Sequence, residues 1–332
     1  MPVKITIIGM GQIGASIGLA LGARKDLFVR VGHDKNIQVA NRAKAMGALD
    51  SVDINLPNSV IDAAIVILSL PLDQIRETLQ FIASDLNEDV VIMDTAPVKG
   101  LVLQWAKELL PPNRYYIGLT PVLNPAYLET PGSGVEAARA DLFKNGMMAI
   151  LSPQSLPSEA IKLATDFCHL LGAEHLFMDP VEMDSMMAAT HILPQLIAAA
   201  LLNSTVDQPG WRDARKLTGR PYAVSTSAIA QSGEANSLTS QAISTQEHLV
   251  RSIDLLMDNL YLLRQQIASG EADKLLKELD RARISREKWI KERKVANWAA
   301  NESPSNVEIP TSKQVLTRMF TFGGGRKPKP PQ

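Results

Sequence analysis

The chain opens on VKITIIGMGQIGASIG, residues 3–18, a β-branched run that passes directly into glycines at 9, 11 and 14. A short apolar strand, a G-x-G-x-x-G turn and a small-residue helix leave little choice of fold. The run is too apolar for a solvated strand, and the turn delivers a helix back onto the strand that precedes it. Gly9 permits the tight turn, Gly11 lets backbone approach a diphosphate, and Gly14 lets helix and strand pack closely. Free N–H groups at the start of the helix, over Met10, Gln12 and Ile13, then face the anion. About twenty residues on, Asp34 ends the next strand, LFVRVGHD. A carboxylate there accepts both ribose hydroxyls of NAD and repels a 2′-phosphate, so NAD is expected over NADP, with Lys35 the feature that leaves NADP open.

The same alternation continues. AAIVILSLP (63–71) and DVVIMDTA (89–96) read as buried strands, with a helix from Leu72 to Ala83 between them. GMMAILSP and AEHLFMDP read as late strands flanking a helix from Ser158 to Leu171. Near-continuous apolar strands separated by helices predict a doubly wound parallel α/β sheet of the Rossmann type, a dinucleotide-binding domain over residues 1–180. Ligands in such sheets lie beyond the carboxyl ends of the strands, which places Ser69 and Asp94 at the nicotinamide half. For Asp94 a helix cap is an equal alternative.

From Val181 the strand pattern stops, and residues 181–298 read as an all-helical substrate and dimerisation domain. SLTSQAISTQEHLVRSIDLLMDNLYLLRQQIAS reads as one long amphipathic helix, with Leu249, Ile253, Leu256, Leu260 and Leu263 as its buried face. Residues 299–332, rich in Pro, Ser and Gly and ending RKPKPPQ, are expected to be a disordered, solvated tail.

A net charge of -1 gives no field for nucleic acid or an anionic membrane. The N-terminus lacks the pattern of a signal peptide, and the apolar run Ile192–Leu202 is interrupted by Pro194 and Gln195, so no spanning segment is expected and cytoplasmic is the default. One cysteine, Cys168, in apolar company reads as a buried thiol. With no H-x-x-x-H or C-x-x-C spacing, no metal site is expected.

GMGQIGASIGLAL, MDTAPVKG, YIGLTPVLNPAYLETPGSGVEAARADLFKNGMMAILSP, VEMDSMMAATHILPQLIAAAL and ARKLTGRP occur in that order. In this order and spacing the chain resembles the prephenate dehydrogenases, a family that includes arogenate dehydrogenases. The resemblance implies NAD(P)-dependent oxidative decarboxylation of a cyclohexadienyl acid in tyrosine biosynthesis, by homodimers built through the helical domain. It implies that Arg215 grips a substrate carboxylate, a task suited to a guanidinium fork. As read from its surroundings, Arg215 is equally a surface cation in a basic loop. The family's D-x-x-S-x-K run falls on residues 94–99, with Pro97 at the serine and Lys99 placed near substrate. The family's catalytic histidine falls on Thr120, which can hydrogen-bond but cannot take up a proton near neutral pH.

His191, in ATHILPQL, lies where the family has S-H-L-P-H, with one extra residue before Pro194 and Gln195 at the second histidine. His191 is thus the candidate base, with Thr120 and an ordered water as the other route for the hydroxyl proton, and Gln195 a substrate contact. A satisfied histidine between helices is its bland alternative. Two other functions remain open at this point: an NAD-dependent dehydrogenase of similar architecture acting on another β-hydroxy acid, and a catalytically silent NAD-binding regulator.

Overall fold

The computed structural model describes residues 2–295 except 131, 152, 154, 155, 233 and 234. The tail expected to be disordered, 299–332, lies outside the described residues. Eight strands form one sheet: β1 (Val3–Ile8), β2 (Phe28–His33), β3 (Ser51–Val52), β4 (Ile65–Leu68), β5 (Val91–Asp94), β6 (Tyr115–Val122), β7 (Met147–Leu151) and β8 (Glu174–Phe177). Their order, β3-β2-β1-β4-β5-β6-β7-β8, runs outward in both directions from β1, as in a doubly wound Rossmann sheet. Strands β1, β4 and β5 carry Ile5, Ile7, Val66, Ile67, Val91 and Ile92 at 0% exposure, because helices cover both faces.

One departure from the expected parallel sheet stands at β6 and β7, which pair antiparallel with Thr120 opposite Ala149. No crossover helix separates them. Residues 123–146 form an irregular excursion with two short 3₁₀ turns, and an antiparallel pair needs no crossover.

Helices α1 (Gln12–Leu21), α2 (Ile37–Ala45), α3 (Leu56–Val60), α4 (Leu72–Ile82), α5 (Gly100–Leu109) and α6 (Ser158–Leu170) complete the α/β part. Ile17 of α1, Ala40 of α2 and Phe167 and Cys168 of α6 share one core, and Ile75 and Leu79 of α4 share the other with Val102 of α5. Cys168 is fully buried, and burial pushes its thiol pKa up, which leaves it unreactive.

The remaining elements are helical: α7 (Pro180–Met187), α8 (Leu193–Val206), α9 (Trp211–Leu217), α10 (Arg220–Thr226), α11 (Ala235–Ser244), α12 (Gln246–Ala268) and α13 (Ala272–Val295). Ile192, Leu238 and Leu249 from this part enter the core formed by α4 and α5, so the helices are docked on the sheet's second face. The long helix expected over 237–269 is broken at Thr245 into α11 and α12. The Ser244 and Thr245 hydroxyls both donate to the Gln241 carbonyl, at 3.0 and 2.9 Å, and such back-bonding bends a helix. Its expected buried face is covered only in part: Leu249 is buried, whereas Leu260 is 55% exposed.

Pro180–Val206 is continuous helix over 27 residues, with a mean hydropathy of 1.5 in its most apolar 18-residue window. That length and composition would suffice to cross a bilayer, a criterion core helices also meet, and here Met183, Ala188 and Ile192 are buried within the protein. Pro194 does not stop the helix, because the proline falls in the first turn of α8.

Candidate active site

The turn after β1 is built as its glycines require. Gly9 has φ +91°, a conformation that side chains rarely tolerate, and a Cβ on it would strike the Ser69 carbonyl. A Cβ on Gly14 would strike the Gly9 carbonyl, while one on Gly11 would meet nothing within 4 Å. The space in front of Gly11 is therefore open. Helix α1 starts there with no side-chain cap and no acidic residue in its first turn, so its free N–H groups and dipole favour an anion.

Asp34, just beyond β2, accepts from the Met10 amide at 2.8 Å and the Asn36 amide at 2.8 Å. Each carboxylate oxygen is thus oriented by backbone and retains acceptor capacity for a ligand hydroxyl. Ser69 follows β4 beside Gly9, its amide bonded to the Ile8 carbonyl at 2.8 Å. Gln12 leans sideways to the Ala137 carbonyl, at 3.3 Å, so the 123–146 excursion packs along α1.

A second cluster lies at the end of β5. Asp94 and Lys99 are both 0% exposed and joined at 2.7 Å between Oδ1 and Nζ. The Tyr116 hydroxyl donates to the other Asp94 oxygen at 2.5 Å, and the Ala96 amide donates to Oδ1 at 2.9 Å. Burial lowers the Lys99 pKa against the pull of Asp94, and burial beside that carboxylate holds Tyr116 well above the usual phenol range.

This arrangement corrects two expectations. Lys99, assigned to substrate, is sealed in an ion pair and reaches nothing outside the protein. Asp94, assigned to cofactor, spends its carboxylate on Lys99, Tyr116 and Ala96. Thr120 is corrected likewise: it is 5% exposed, and its hydroxyl donates to the Ala96 carbonyl at 3.3 Å, which removes its only proton from use.

His191 sits in a π-helical turn, Ala188–Ile192, between α7 and α8, where the Leu193 amide bonds the carbonyl of Ala188 five residues back. A π turn houses one residue more than an α turn, which absorbs the extra residue noted before Pro194 and rotates His191 relative to the helix that follows. The imidazole is exposed on its open side yet surrounded closely enough that desolvation lowers its pKa below 6.5. Gln195, expected to touch substrate, is 4% exposed and donates to the His191 carbonyl at 2.7 Å. Its amide nitrogen is committed to the turn, while its buried Oε1 has no partner among the described residues. Arg215, on exposed α9, bonds the Arg212 carbonyl at 3.3 Å, and among the described residues no ion pair to it is recorded. The structure groups residues 9–14, 34 and 69 at one strand-end site. It records no contact that brings Arg215 to them.

Sequence reasoning missed Tyr116, Asp184 and Ser237. The Asp184 carboxylate reaches from α7 to the Lys99 amide at 2.7 Å and the Gly100 amide at 3.0 Å. Burial raises its pKa while those two amides pull it down. No local pattern announces a partner 85 positions away. Among the described residues, no group of three or more His, Cys, Asp or Glu is placed to hold a metal ion.

Comparisons with known proteins fit this architecture. Residues 17–176 match the family model described as "Prephenate dehydrogenase, nucleotide-binding domain". A cyclohexadienyl dehydrogenase from Zymomonas mobilis is 27% identical over 287 residues, 85% of this chain and 95% of that protein. A prephenate dehydrogenase from Bacillus subtilis is 27% identical over 202 residues, 60% of this chain but 53% of the relative. The crystal structure of prephenate dehydrogenase from A. aeolicus, in complex with hydroxyphenyl propionate and NAD+, superposes with a TM-score of 0.75 at 20% identity. That likeness covers 87% of this chain and 98% of the other, and speaks to the fold.

Proposed function

We propose that this chain, which belongs to the prephenate dehydrogenase family, is an NAD-dependent dehydrogenase of tyrosine biosynthesis. In this reading it oxidatively decarboxylates a cyclohexadienyl acid, prephenate or arogenate, in the cytoplasm. The observation that carries the reading is the open, uncapped start of α1 at Gly11 with Asp34 oriented beside it by the Met10 amide. The residues present fit the dinucleotide: Gly11, Gln12 and Ile13 would hold the diphosphate, Asp34 the ribose and Ser69 the approach to the nicotinamide.

When bound, the cofactor supplies a hydride acceptor. The chain's own residues supply binding and proton handling. Arg215 pairs with a substrate carboxylate, its guanidinium in no ion pair among the described residues. His191 is the base for the ring hydroxyl, because its lowered pKa keeps the imidazole neutral and ready to accept at neutral pH. Loss of CO₂ needs little from the protein, since aromatisation of the ring drives it.

The chain acts as a homodimer in this reading. Leu255, Met257, Leu260 and Tyr261 of α12 and Leu276, Leu279 and Trp289 of α13 are each at least half exposed, more apolar surface than a lone chain carries without a partner. Residues 1–180 and 181–298 serve as cofactor and substrate domains, respectively.

Purified protein with NAD and either acid, followed by absorbance of the reduced cofactor, tests the proposal. Turnover that His191→Ala and Arg215→Ala each remove supports it. Tight NAD binding with no turnover of either acid overturns it in favour of a silent NAD-binding protein.

A further inference from the structure

Helices α4 and α5 follow the two strand-end loops that border the nicotinamide half of the site, and neither caps itself. Position N-cap of α4 is Pro71 and that of α5 is Lys99, and neither side chain bonds the first-turn amides. Helices usually meet that need with Ser, Thr, Asp or Asn in the same position. Here the helical part of the chain supplies both caps. Ser237 of α11, 2% exposed, accepts from the Leu72 amide at 3.2 Å. Asp184 of α7, 8% exposed, accepts from the Lys99 and Gly100 amides with its two oxygens. The fit at α5 is close: a Cβ on residue 100 would lie 2.7 Å from Asp184 Oδ2, so a side chain there would push the carboxylate from its present place.

We infer that Asp184 and Ser237 are positioning residues: they cap α5 and α4 from the other domain and so hold the helix that carries His191 in fixed register with the starts of α4 and α5. The inference rests on the dehydrogenase reading for its kinetic consequence. Asp184 lies two turns before His191 on one continuous helix, so the capped carboxylate is the fixed end from which the π turn projects the imidazole. A carboxylate on two first-turn amides is charge-assisted and favoured by the helix dipole. The groups facing it are Lys99 at the start of α5, beyond it Tyr116 of β6, and His248 of α12. Ser237 is itself held by the Gln241 side-chain amide at 3.1 Å, which fixes the hydroxyl toward Leu72. Domain orientation is thereby tied to backbone amides at two points rather than left to apolar packing alone.

The test uses the NAD-loaded full chain with Asp184→Asn and Ser237→Ala. Amide hydrogen exchange is expected to accelerate about tenfold at Lys99 and Gly100 in the first and at Leu72 in the second. The His191 imidazole, followed by NMR, shifts its titration midpoint in both. With substrate, kcat falls about tenfold or more while KM for NAD stays within about twofold, because a misplaced base slows chemistry without touching the phosphate loop. Unchanged exchange together with an unchanged His191 titration overturns the inference. If Asp184→Asn fails to fold, Ser237→Ala carries the same readouts. A wild-type protein without turnover sinks the dehydrogenase reading alone, since exchange and imidazole titration are read without substrate.

Discussion

Replacing Lys99 with methionine isolates the buried charge network from everything else at the site. The side chain is 0% exposed and its Nζ contacts Asp94 Oδ1 at 2.7 Å and the Asp94 carbonyl at 3.2 Å. Methionine fills a similar volume, so the loss is of charge and not of packing. Asp94 then keeps the Tyr116 hydroxyl and the Ala96 amide but no countercharge, in a place water does not reach. Removing one partner of a buried ion pair costs about 3–5 kcal/mol. With a urea slope of about 3 kcal/mol per M, that lowers the denaturation midpoint by about 1 to 1.7 M. Adding Asp94→Asn removes the stranded charge and is expected to recover at least about half of the loss, since a neutral pair has no uncompensated ion. The reasoning fails if Lys99→Met loses less than about 1 kcal/mol, or if the double variant falls as far as the two single losses summed.

Four further outcomes follow from the same structure. The acid limb of kcat/KM inflects below pH 6.5, where desolvation has placed the His191 pKa, and His191→Ala lowers kcat by about two to four decades; an acid limb that survives His191→Ala assigns the base elsewhere. The unfolded chain protonates this imidazole near 6.5 while the folded chain resists, so this group's share of stability falls as pH drops below 6.5, and urea midpoints of wild type and His191→Ala should converge at higher pH. Gly9→Ala forces a side chain into φ +91° against the Ser69 carbonyl and is expected to cost more than about 1 kcal/mol and most NAD affinity, whereas Gly11→Ala, which meets nothing, keeps stability while weakening NAD; equal stability losses at both positions contradict the geometry. Light scattering is expected to give a dimer at micromolar concentration that Leu260→Asp and Tyr261→Asp together dissociate, and a monomeric wild type rules that interface out.

What could be read from residues alone was whatever a local pattern controls. The glycine turn, Asp34, the alternation of strands and helices, and the helical nature of the chain beyond Pro180 all follow from neighbours within about twenty positions. The antiparallel β6–β7 pair was not legible, because nothing in TPVLNP tells which way the next strand returns. Nor was the fate of Lys99 and Asp94. Five positions apart, they look like two polar groups offered to a ligand, and only the tertiary fold closes Tyr116 and Gly118 over them; a Cβ on Gly118 would lie 2.8 Å from the Lys99 stem. The one overlooked sequence signal was negative: proline and lysine at the N-cap positions of α4 and α5 are poor caps, which asks where the caps come from.

The loss of proton chemistry at Thr120 and the π turn at His191 are best understood together. Thr120 gives its proton to the Ala96 carbonyl, and Pro97 has neither hydroxyl nor N–H, so neither of these two positions supplies a base. On the proposed reading the titratable group comes from the helical part, and His191, exposed and with a pKa lowered by desolvation, is the residue assigned to it. The turn that presents it is costly, since π geometry breaks the α ladder and Pro194 withholds a further amide; the Gln195 side chain offsets part of that by bonding the His191 carbonyl. Such a group works only if the helix that carries it is held in register with the opposing loops. The Asp184 cap on α5 ties the start of the same helix to the strand-end loop, and on the proposed reading that makes domain docking part of how the base is placed.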